Sequence, residues 1–136
     1  MPRIVLKRAA KYFDTINYNL IIYYHKALSI KDIYNKVIKR EAKLSESLPE
    51  EQDDTAALSL VTEEAYSYLI INSKTTLSQL HHEAIHITTA AFNFIGSRHT
   101  EETDELCAYH SHCIFDFILT TLLTKFKIPP RNLLSL

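Results

Sequence analysis

The chain contains one glycine in 136 residues, Gly96, and it falls directly after an apolar stripe. Leu77, Leu80, Ala84, Ile87, Ala91, Phe94 and Ile95 recur at the spacing of one helix face. Thr76 and Gln79 stand three apart at its start, the pattern of a capping box. Glycine at the far end suits a left-handed C-cap, which most side chains resist. The segment therefore predicts a helix over 77–95, buried along one side, and whatever else the chain forms must cover that side.

A second helix is expected beyond the turn "SRHT". Thr100 is placed to cap it, and Glu101, Glu102 and Asp104 suit the positive end of its dipole. It runs through "LCAYHSHCIFDFILTTLLTKF" until Pro129 and Pro130 stop it. Earlier in the chain, "NYNLIIYYHK" is β-branched and aromatic and reads as a strand. Ser29, with Asp32 three residues on, caps a helix whose apolar positions are Ile30, Ile33, Tyr34, Val37, Ile38 and Leu44. Residues 1–16 fit a strand or a short helix equally. An acidic, proline-bearing stretch at about 45–55 reads as a loop. "AALSLV" and "AYSYLII" then flank a short polar turn, as in an antiparallel hairpin. Residues 129–136 form an apolar tail.

Together these elements predict a single α+β domain over 1–136: a small, mainly antiparallel sheet of about three strands packed on three helices. A hydrophobic content of 46% and a charged content of 23% are those of an ordinary globular chain. The net charge of −1 gives no overall attraction to nucleic acid or to an anionic membrane, so neither is expected as a partner. Basic residues gather in the first 40 positions, where a solvated face accounts for them. No apolar region follows the basic N-terminus as in a signal peptide, and runs such as "YNLIIYY" are too short to span a bilayer. Cys107 and Cys113 are six apart, point in different directions on one helix, and are expected as free thiols in a reducing compartment, the cytoplasm.

Six of the seven histidines lie between positions 81 and 112. His82 and His86 are four apart, so on a helix they share a face and can hold one metal ion together. Glu83 lies between them in "HEAIH", an H-E-x-x-H pattern in which the glutamate moves protons and the histidines bind zinc. A catalytic zinc takes three protein ligands and keeps one position open. Glu105 is the first choice for the third. A tight antiparallel return would instead bring His110 or His112 level with His86, which makes His112 a rival ligand or a group orienting one. His99, in the turn, is another rival, and Cys107 would make a softer site.

"HEAIH" followed by "ELCAY", with Glu105 standing 19 positions after His86, resembles the gluzincin zinc metallopeptidases. The predicted order of strand, helix, hairpin, HExxH helix and glutamate helix is similar to the minigluzincins and to compact metallopeptidase-like proteins encoded by bacteriophages. The resemblance covers about residues 56–120. It implies Zn2+ held by His82, His86 and Glu105, with Glu83 as general base and a peptide or protein as substrate. Tyr109 would stabilise an oxyanion or would be a buried core residue. Asn93 would orient a ligand or be solvated, and His81 would be a surface residue. Thr89 and Phe92 occupy the places of a metzincin's glycine and third histidine, so that family does not fit. The implied location is the cytoplasm, the host's if the chain is phage-encoded. The alternative is a catalytically inactive, zinc-stabilised interaction module, such as a phage protein that binds a host factor.

Overall fold

A computed structural model of the chain describes residues 5–40, 57–61, 65–96 and 100–130. The elements are β1 (Lys7–Phe13), β2 (Tyr18–His25), α1 (Ile30–Arg40), β3 (Ala57–Val61), β4 (Tyr66–Asn72), α2 (Leu77–Phe94) and α3 (Asp104–Thr120). A π-helical turn, Thr121–Lys125, extends α3. The acidic segment 45–55, Leu44 of the α1 stripe and the tail beyond position 130 lie outside the described residues.

The fold is α+β, as expected, but the sheet has four strands in the order β1-β2-β4-β3 and is mixed. The β1/β2 and β3/β4 pairs are antiparallel, whereas β2 and β4 run parallel, with His25 opposite Asn72. Parallel neighbours need a crossover connection, and here it contains α1. The ambiguous N-terminal segment becomes the edge strand β1.

The two central strands show why their sequences are so uniformly apolar. Leu20, Ile22, Leu69 and Ile71 are buried with Leu80, Ala84, Ile87, Ala91, Ile114 and Ile118 on the α2–α3 side. Ile21, Tyr23, Tyr68 and Ile70 are buried with Ile30, Ile33 and Val37 on the α1 side. A strand sandwiched between helices on both faces has no polar side to show. Each fully buried aliphatic side chain here contributes about 1.5–3 kcal/mol of burial free energy.

The caps explain the helix starts. Ser29 Oγ accepts from the Asp32 N–H at 3.1 Å. The Thr76–Gln79 capping box is formed in both directions. Gly96 follows α2 with φ +77°, the left-handed turn its position implies. Two details differ from expectation. Phe92 is buried, while Phe94 and Ile95 are more than 40% exposed, so the buried stripe turns away before the helix ends. Thr100 does not cap α3: it donates its N–H to Thr103 Oγ1 at 2.8 Å and accepts from the Thr103 N–H at 3.3 Å. That reciprocal pair closes a tight turn, and the helix proper starts at Asp104. By length and composition alone, the rod Asp104–Lys125 is apolar enough to cross a membrane; the core helix of a globular domain passes the same test.

Candidate functional site

The histidine pair is built by α2. Leu80, Ala84, Ile87 and Ala91 take the buried side of the helix. The opposite side is thereby left to solvent, and His82 and His86 are both exposed on it. Their Nε2 atoms are 3.0 Å apart and their rings stand nearly perpendicular, with centroids 4.6 Å apart. One nitrogen must donate and the other accept. Glu83, between them in sequence, is half-buried.

Two nitrogens bound to one tetrahedral zinc at about 2.0–2.1 Å lie roughly 3.3 Å apart. The observed 3.0 Å is close to that separation, so the pair suits two neighbouring positions around one divalent ion. Among the described residues, no group of three His, Cys, Asp or Glu side chains is close enough to hold one together.

The register of the α2–α3 hairpin shows where the other predicted residues stand. His81 meets the Phe115 ring edge-on at 5.7 Å, and Phe92 meets His110 at the same distance. Position 86, midway between these contacts, is therefore level with about His112. Glu105, seven residues before His112, stands exposed on the first turn of α3, roughly 10 Å further along the axis. His112 lines a different groove, against β1, with Tyr109, Cys113 and Asp116. His110 is buried between the Phe92 and Tyr109 rings, and burial lowers its pKa below the ordinary 6.5. His99 lies outside the described residues.

Tyr109 is not a core residue: it is 60% exposed on the outer side of α3. A hydrogen bond to Cys113, reinforced by the charge of the same group, raises its phenol above the ordinary value. Cys107 is buried and Cys113 half-buried, and neither is bridged. Asn93 lies in a groove of about 240 Å³ between α2 and α3, along with Ile85, Thr89, Cys107, Ala108 and Ser111. Ile85 lies next to His86 in sequence and Thr89 nearly one turn beyond it, so the groove runs along the side of α2 adjoining the face that carries the imidazole pair. Its sequence signal is the pair of small residues Ala108 and Ser111, three apart on one face of α3.

No protein-family model matches the chain, and no curated protein or solved structure matches it.

Proposed function

We propose that the chain is a zinc-dependent, metallopeptidase-like hydrolase that cleaves a peptide bond in a peptide or protein substrate. The observation that carries this reading is the His82–His86 pair, two exposed imidazole nitrogens at 3.0 Å on one helix with Glu83 between them in sequence. Bound zinc supplies Lewis acidity, which lets water act as a nucleophile at neutral pH. His82 and His86 hold the ion through Nε2. Glu105 is the proposed third ligand, with His112 and His99 as its rivals. For Glu105 to serve, the first turn of α3 must draw toward the pair when metal binds. Glu83 takes the proton from the attacking water and passes it to the leaving amine.

The substrate docks on the sheet. β3 is an edge strand, and α2 packs against it. An extended peptide can add to such an edge through main-chain hydrogen bonds, with the groove beside His86 open to one of its side chains.

The second reading, a zinc-stabilised interaction module without turnover, draws on the exposure of the same pair. It differs in what completes the site: a further protein ligand takes the position that a hydrolase keeps for water. The test is Glu83→Gln in zinc-loaded protein, measured by cleavage of host-cell proteins in a mass-spectrometric screen and by zinc content. The hydrolase reading expects turnover to fall by at least about a hundredfold with zinc retained. Full biological activity in the substituted protein would leave the interaction module standing instead.

A further inference from the structure

Neither His82 nor His86 lines a further groove, one whose described charged residues are all cationic. β2 and β4 run parallel and end side by side at His25 and Asn72. In open sheets, ligands gather beyond the carboxyl ends of parallel strands, where loops diverge. A groove of about 420 Å³ occupies that place, within the usual range for a small-molecule site. Lys7, Lys26 and Lys127 line it, with Ser73 at one side, and no carboxylate is among its described lining residues.

The apolar part of the groove comes from the core. Tyr24 and Phe126 stack at 5.6 Å with their planes 19° apart, and both are buried. His25 adds a fixed donor. Its Nδ1 accepts from the N–H groups of Ala27 and Leu28 at 2.9 and 3.1 Å, so the hydrogen of the neutral ring sits on Nε2. Phe126 to Pro129, directly after the π-helical turn, form another wall. Phe126 and Ile128 donate their N–H groups back to Thr121 and Leu122, both at 2.9 Å, and Lys127 between them is left-handed at φ +57°. Glycine is the usual occupant of such a cap. A lysine there accepts a backbone cost and sets an ammonium on the rim of the groove. Lys7 Nζ donates to the Phe126 carbonyl at 2.9 Å, tying β1 to the same wall.

Three lysines and an imidazole N–H, in a groove that Tyr24, Phe126, Ile128 and Pro129 also line and with no carboxylate among the described lining residues, match a ligand that joins phosphate to a flat apolar ring. We propose that this groove binds a free nucleotide, the phosphates held by Lys26, Lys127 and Lys7. The site is independent of metal binding at His82 and His86.

Isothermal titration of the full chain with ADP tests it, with adenosine, inorganic phosphate and a thymidine oligonucleotide as comparison arms. The expected result is saturable one-to-one binding of ADP that weakens with added salt, with adenosine and phosphate each much weaker. Lys26→Gln and Lys127→Gly should each weaken ADP binding by about tenfold. Lys127→Gly relieves the left-handed backbone, so its Tm should stay level or rise, separating loss of ligand from loss of fold. Glu83→Gln should bind ADP as the unsubstituted chain does. Absence of saturable ADP binding up to millimolar concentration, affinity unchanged by both lysine substitutions, or binding of the oligonucleotide in preference to ADP would each overturn the proposal.

Discussion

His82 and His86 stand one turn apart on α2 with their Nε2 atoms 3.0 Å apart. The buried side of the same helix holds Leu80, Ala84, Ile87 and Ala91 against the sheet, so rotation of the helix that would separate the pair from solvent is resisted by the core. The backbone positions from which the two imidazoles project are therefore fixed by the core. Zinc should bind with a stoichiometry of one per chain, and either His82→Ala or His86→Ala should weaken it by at least about a hundredfold, since loss of even an orienting group costs 10- to 100-fold. Zinc competition against a chromophoric chelator, on protein without a histidine tag, measures this directly. Retention of full affinity in both variants would remove the metal reading.

The third ligand can be resolved by comparing two substitutions. Glu105 lies on the first turn of α3 and His112 faces the groove beside β1, so each needs a different movement to reach the pair. Glu105→Ala is expected to weaken zinc more than His112→Ala. Hydrogen exchange supplies a readout independent of side-chain removal: zinc should slow amide exchange over residues 100–107 if Glu105 is recruited. A zinc-induced change confined to the middle of α3 would transfer the role to His112.

The sequence revealed most clearly what is local. The imidazole pair, the Thr76–Gln79 box and the Gly96 turn each depend on residues within one helix or at its end, and all three take the expected form. The β3/β4 pairing was legible from two runs of β-formers even without a glycine between them. The parallel β2/β4 pair was not, because nothing in "NYNLIIYYHK" records which strand will lie beside it. The core alternative for Tyr109 fails for a related reason. Whether a residue near the start of α3 points inward depends on how that helix is rotated against α2, which is decided by Phe92, His110 and their neighbours. The cationic groove was hidden because its parts come from four separate stretches of chain.

Gly96 offers a test of backbone conformation free of steric effects. Its φ is +77°, and a Cβ placed on it would meet nothing within 4 Å among the described residues. Gly96→Ala should therefore cost only the conformational term, about 1–2 kcal/mol, measured by denaturant unfolding. Gly96→Asn should cost less, because asparagine tolerates the left-handed region. Equal losses in the two variants would mean that some other feature of the turn is at stake.

His110 gives the fold a pH dependence whose sign follows from its surroundings. It is buried beside Phe92 and Tyr109, and burial lowers its pKa below 6.5. Between that ordinary value and the lower folded one, the unfolded chain binds more protons than the folded chain. Stability then rises with pH in this window. The stabilisation is fully present above about pH 6.5 and is lost as pH falls through the folded value. Zinc-free protein should accordingly show a lower Tm at pH 5 than at pH 7, and His110→Phe should narrow that difference while keeping an aromatic ring against Phe92. Thermal melts of both proteins across the range measure the gap. A difference unchanged by the substitution would place the titrating group elsewhere.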